Sequence, residues 1–158
     1  MKKVFIGIDP GEKGGIAVLD KGSNVLDIVK MPVTPQDILQ YISEWKDNDE
    51  YVVHCALEDV GKGMPGQSSV ATAKLARHCG HLEMVLLAKE VKTVYVTPKK
   101  WQKEYQLGSS KGYTKTQWKN KLKAKAQQLF PELGKKITLA VSDALLIAEY
   151  CKRLNVST

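Results

Sequence analysis

The stretch Val4-Phe5-Ile6-Gly7-Ile8-Asp9, with the turn Pro10-Gly11-Glu12-Lys13-Gly14-Gly15 behind it, decides how the rest of this sequence is read. β-Branched and aromatic residues favour a strand, and Pro and Gly end it. One carboxylate, Asp9, is thereby carried to a strand's C-terminal end. By itself such an Asp is ordinary turn chemistry, because its side chain readily accepts a hydrogen bond from a nearby backbone N–H. Its meaning depends on where two further acids fall.

Outward from this strand, Ile16-Ala17-Val18-Leu19 predicts a second strand, Lys21-Gly22-Ser23-Asn24 a hairpin turn, and Val25 to Met31 a third strand. Three antiparallel strands therefore open the chain. Pro32 and Pro35 interrupt it, and Ile38, Leu39, Ile42 and Trp45 recur at helical spacing from Asp37 to Trp45. After a polar loop, Tyr51-Val52-Val53-His54-Cys55-Ala56-Leu57 predicts a fourth strand that ends at Glu58. A strand following a helix can return parallel to the first through a right-handed crossover. Asp9 and Glu58 then sit side by side at the C-terminal edge, where α/β sheets bind ligands. Adjacent carboxylates repel, and a cation or a proton must offset them. Asp59, next along the chain, points to the opposite face.

The glycine-rich run Val60 to Ser69 lacks the Gly-Lys-Ser/Thr ending of a phosphate-cradling loop. It holds Lys62 and Met64, and a basic loop beside the acid pair suits contact with a bulky substrate. A helix is expected from Ser69 to Ala88; Gly80 weakens it and suggests the close approach of another backbone. His78-Cys79-Gly80-His81 carries no further ligand pattern, and packing explains it better than a metal site. Thr93 to Val96 is the fifth strand, and Thr97-Pro98 starts a short helix holding Trp101.

Beyond the basic link Gly108 to Gly112, Thr116 to Phe130 reads as a helix with Trp118, Leu122, Ala126 and Leu129 on one face. Lys119, Lys121, Lys123 and Lys125 occupy its other faces. The last helix, Thr138 to Leu154, is largely apolar yet contains Asp143. A carboxylate in a buried helix is costly unless it is paired. Facing Asp9 and Glu58, it would be satisfied by a shared metal ion.

With 158 residues, 43% hydrophobic and 26% charged, the chain predicts one compact domain spanning 1–158. A net charge of +7 and a pI near 9.2 point to a polyanionic partner, so phosphate contact is preferred over mere solvation for the helical lysines. The three cysteines lack CxxC spacing, which argues against a disulfide framework or a zinc site. The first apolar run ends at Asp9, too soon for a signal peptide, and no stretch reaches the ~20 apolar residues of a membrane span. A soluble intracellular protein with no membrane partner is expected.

Asp9-Pro10-Gly11 after the first strand, Leu57-Glu58-Asp59-Val60 after the fourth and Ser142-Asp143-Ala144-Leu145 in the terminal helix together resemble the RuvC-type Holliday junction resolvases. Small phage-borne relatives look especially similar, and the resemblance covers nearly the whole chain. It implies a ribonuclease H-like α/β fold: a five-stranded mixed sheet, three antiparallel strands then two parallel, flanked by helices. It further implies a homodimer that binds four-way DNA junctions and nicks two strands symmetrically with Mg²⁺ or Mn²⁺, in the cytoplasm of a bacterial or phage-infected cell. Asp9, Glu58 and Asp143 would be the catalytic metal-binding acids of a two-metal phosphodiester hydrolysis, with Asp9 shared between both ions. Lys62, Met64, Lys111, Lys115, Lys119 and Lys123 would contact DNA.

Two positions depart from the family pattern. The fourth ligand, an Asp or His one turn before the last Asp, is Ala140; the junction-probing aromatic three residues after the Glu is Gly61, for which Met64 is a substitute wedge. The same acids would serve a ribonuclease H-like nuclease acting on other branched DNA or on RNA–DNA hybrids. A non-catalytic junction-binding protein is the rival in which Ala140 marks lost metal chemistry. An actin-like or sugar-kinase ATPase also opens with a strand, Asp and Gly, but needs two related domains around its nucleotide. No nucleotide cofactor is therefore expected.

Overall fold

The computed structural model describes residues 1–60 and 66–156, so Gly61, Lys62 and Met64 lie outside the described residues. Strand β1 (Lys2–Asp9) pairs antiparallel with β2 (Gly15–Asp20), and β2 antiparallel with β3 (Val25–Lys30). On its other side β1 pairs parallel with β4 (Tyr51–Glu58), which pairs parallel with β5 (Lys92–Val96). The sheet order is β3-β2-β1-β4-β5. Helix α1 (Pro35–Lys46) makes the crossover into β4, and α2 (Ser69–Ala88) the crossover into β5. Each starts where the chain supplies a cap: Thr34 Oγ1 accepts from the Asp37 N–H, and Ser68 Oγ from the Ala71 N–H.

After β5 come α3 (Pro98–Lys103), α4 (Lys115–Leu129), a 3₁₀ segment (Pro131–Lys136) and α5 (Leu139–Val156). Helix α4 begins one residue earlier than the apolar spacing suggests, because Thr114 and Gln117 form a reciprocal capping box. The 3₁₀ segment was not legible in the pattern; Pro131 starts it and Gly134, at φ 54°, breaks its helical geometry.

Residues of β1 alternate between two buried faces. Val4, Ile6 and Ile8 pack beneath α1 and α2, and Phe5 packs with α5 on the other side. Burial on both faces is why this strand reads as a continuous apolar run. Helix α5 lies directly on the sheet. A Cβ at Gly7 would come within 2.2 Å of Ala148 N and 2.3 Å of Ala144 O, and one at Gly15 within 2.5 Å of Ala140 O. Gly80, expected to mark a close backbone approach, is exposed, and a Cβ there would meet nothing within 4 Å among the described residues. Gly7 is the glycine that fulfils that role. Among the described residues, no helix is long and apolar enough to cross a membrane.

Candidate active site

The β1–β4 register sets Ile8 beside Leu57, so Asp9 and Glu58 end neighbouring parallel strands at one level. By strand alternation both leave the sheet on the face of Phe5, Gly7 and Ala56, which α5 covers. The absence of a side chain at Gly7 lets Ala144 and Ala148 descend onto β1, which brings Asp143 to the same edge. Asp9, Glu58 and Asp143 are 8%, 7% and 3% exposed, so three acids share one buried corner.

Burial, followed by the charges of Asp143 and Glu58, holds the Asp9 carboxyl well above the usual carboxylate range, against a smaller opposing pull from Lys119. Burial also raises Glu58, while the Trp101 indole, Asp9 and Lys119 draw it back in part. Asp9 and Glu58 hydrogen-bond to each other, and the bond raises the first while lowering the second. Trp101 Nε1 donates to Glu58 Oε2 at 2.7 Å, and Lys119 Nζ reaches Asp143 Oδ2 at 2.9 Å. Burial alone would lower Lys119, but Asp143 first, then Asp9 and Glu58, outweigh it, and its ammonium is held charged.

Among the described residues, one cation thus serves three carboxylates, and Asp143 Oδ1 is buried with no hydrogen-bond partner. In donor chemistry these residues fit a hard divalent ion, since Mg²⁺ takes carboxylate oxygens and the orphaned Oδ1 has lone pairs to give. Among the described residues, no three His, Cys, Asp or Glu side chains stand ready as a metal-holding group. Trp101 and Lys119 each hold one of the oxygens such a group would use.

The sequence reading placed Lys119 among the phosphate-contacting lysines and gave Trp101 no role beyond its helix. The structure turns both onto the acids. A signal for Trp101 existed: three residues after Pro98, on a short helix following β5, it stands at the sheet edge that Glu58 reaches. Lys111, Lys115 and Lys123 make no ion pair among the described residues, and the first two are exposed. Ala140 offers only a backbone carbonyl, set against Gly15. Two cavities share Glu58. One of about 240 Å³ lies on the α2 side, among Asp59, Cys79, Glu83 and Tyr95. The other, of about 490 Å³, reaches both Glu58 and Asp143 and includes Lys119, so it is the one that can present a phosphodiester to the acids.

No protein-family model and no curated protein matches this sequence. Solved structures do. Thermus thermophilus RuvC in complex with a Holliday junction substrate is 15% identical, with a TM-score of 0.68 over 97% of this chain and 96% of that one. A second Thermus thermophilus RuvC structure is 15% identical, with a TM-score of 0.59 over 98% of this chain and 97% of that one. The fold of this chain is ribonuclease H-like, as in RuvC.

Proposed function

We propose that this chain is a metal-dependent, structure-selective endodeoxyribonuclease that resolves four-way DNA junctions by paired symmetric nicks. The observation that carries the reading is the convergence of Asp9, Glu58 and Asp143 at the C-terminal sheet edge with one lysine to balance them. The likeness in fold to RuvC, seen with a Holliday junction, supports it. Asp9, Glu58 and Asp143 would hold Mg²⁺ or Mn²⁺, two ions per site. Bound there, the ions supply an ionised attacking water and offset charge on the leaving oxygen. Trp101 keeps the Glu58 carboxylate oriented, and Lys119 neutralises Asp143 until a stronger cation arrives. Lys111, Lys115 and Lys123, with Lys62, would bind the DNA backbone, and Met64 would serve as the apolar wedge.

A single nuclease domain working as a homodimer is part of the same reading. Helix α2 supports it: Val70, Met84 and Leu87 are 66%, 57% and 71% exposed on one element, around the open position of Gly80. Apolar side chains left in water at that density suit a second copy of the chain. Ala140 favours one alternative, a junction-binding protein without cleavage, since no fourth acid stands there.

The test is cleavage of an end-labelled synthetic four-way junction against a matched linear duplex, with Mg²⁺ and with EDTA. Paired metal-dependent nicks in the junction alone are expected. Tight junction binding with no nicks would favour the binding protein. Equal cutting of both substrates would keep the hydrolysis and discard the selectivity.

A further inference from the structure

We propose that the cavity of about 490 Å³ beside the acids is a subsite for one unpaired nucleobase of the strand being cut. This rests on the nuclease reading above and adds a recognition element to it. Tyr113 and Trp118 form the aromatic wall, their ring centroids 5.5 Å apart with planes inclined by 60°. Every base presents a π-face, so aromatic walls accept bases without regard to sequence. Neither ring touches the carboxylates, so the hydrolysis itself gives them no task.

The wall is held in place before any ligand arrives. Lys121 Nζ lies 4.6 Å from the Tyr113 ring centroid, donates to Tyr113 Oη at 2.9 Å and to Leu107 O at 2.8 Å. The chain that carries Tyr113 is bent by Gly108 and Gly112, at φ 79° and 88°, in the left-handed region that glycine adopts without strain. Tyr113 is nevertheless 44% exposed, a large ring fixed in position and open to the cavity. Ordering spent in advance is not spent on binding.

Polar groups complete the match to a base rather than to an aliphatic ligand. Trp118 Nε1 donates to Gln102 Oε1 at 3.1 Å, which fixes the amide. Gln102 Nε2 makes no hydrogen bond among the described residues, leaving a donor for a base carbonyl or ring nitrogen. Lys115 and Lys119 line the same cavity and set positive charge where the attached phosphate would pass toward the acids. The volume lies within the range of about 300–1,000 Å³ usual for small-ligand sites.

The experiment scans single abasic residues through the nucleotides flanking the cut of a four-way junction. Cleavage and equilibrium binding are measured for the unaltered chain, Tyr113→Ala and Gln102→Ala. Trp118 also packs against the main core, so the two variants nearer the surface carry the test. One abasic position beside the cut should lower kcat/KM about ten-fold for the unaltered chain, the scale of one lost stacking contact. Tyr113→Ala should cut the intact junction about ten-fold more slowly and show no further loss on the abasic one. 2-Aminopurine at that position should be quenched on binding the unaltered chain and bright on Tyr113→Ala. Cleavage indifferent to every abasic position would overturn the subsite while leaving the nuclease standing, as would a penalty that persists in both variants. A chain that neither binds nor cuts branched DNA would remove the nuclease reading, and the subsite with it.

Discussion

Helix α5 carries two buried carboxylates, Asp143 and Glu149, 3% and 5% exposed, and they are handled in opposite ways. Glu149 has its charge offset by two cations, although its Oε2 makes no hydrogen bond among the described residues. Ser23 Oγ donates to its Oε1, while Lys152 Nζ and Arg153 Nε stand 3.2 Å and 3.6 Å from Oε2. Lys152 also donates to Ser23 Oγ, so the β2–β3 turn is pinned to the helix. Asp143 faces two further acids and, among the described residues, shares one lysine with them. A buried acid by itself therefore says little about function. The informative quantity is negative charge in excess of local compensation, because that excess costs stability unless a ligand relieves it.

The largest contrast comes from neutralising each acid in turn. Asp143→Asn should reduce metal-dependent nicking about a thousand-fold or more, a loss of several kcal/mol of charge stabilisation. Junction affinity should change little, and metal-free stability should hold or rise. Glu149→Gln should do the reverse: nicking per folded molecule persists, and stability falls by about 2 kcal/mol as charge-assisted bonds are lost. Nicking assays and urea denaturation on the same preparations would read both, and cleavage surviving Asp143→Asn would break the comparison.

Next in size is the cation that occupies the acidic corner. Lys119→Met removes the competitor for Asp143 and should tighten Mn²⁺ binding about ten-fold, worth about 1.4 kcal/mol. Electron paramagnetic resonance of free Mn²⁺ would measure it. An unchanged affinity would show that Lys119 and the metal do not share a site.

The pH dependence follows from the same surplus. Burial raises Asp9 and Glu58 in the folded chain above their ordinary values of 3.8 and 4.5, so the native state keeps protons that the unfolded state has released. The stability these two groups contribute is complete below those ordinary values and is lost as pH climbs through the raised native ones. Mg²⁺ should reduce the loss, and Asp9→Asn should flatten it. Thermal melts from about pH 4 to about pH 8, with and without the metal, test the sign; a metal-free rise traceable to Asp9 would contradict it.

The smallest effects separate DNA-facing from structural lysines. Lys115→Ala and Lys123→Ala should each lower the salt slope of junction binding by about one, whereas Lys152→Ala, beside Glu149 on α5, should leave it unchanged. A slope indifferent to the first two would take them off the DNA interface.

Strand alternation, Pro and Gly punctuation and helical spacing are local properties, so the five strands and five α-helices of the described residues could be read from the sequence, each stated end to within about two residues. The adjacency of Asp9 and Glu58 was open to the sequence as a condition, because a strand following a helix can return parallel through a right-handed crossover, and the β1–β4 register meets it. Asp143 announced itself as a charge inside an apolar helix. What the sequence could not decide was partnership. Gly7 and Gly80 both lie inside regular elements, and only packing distinguishes Gly7, under the backbone of α5, from Gly80, open to solvent. Lys119 looked like its neighbours on α4 until the fold set its ammonium on Asp143, and Trp101 had no role beyond its helix until its indole reached Glu58. Glu149 found a hydrogen-bond donor in Ser23, 126 residues away along the chain. Such contacts depend on the reach of side chains between elements remote in sequence, and periodicity carries no record of that distance.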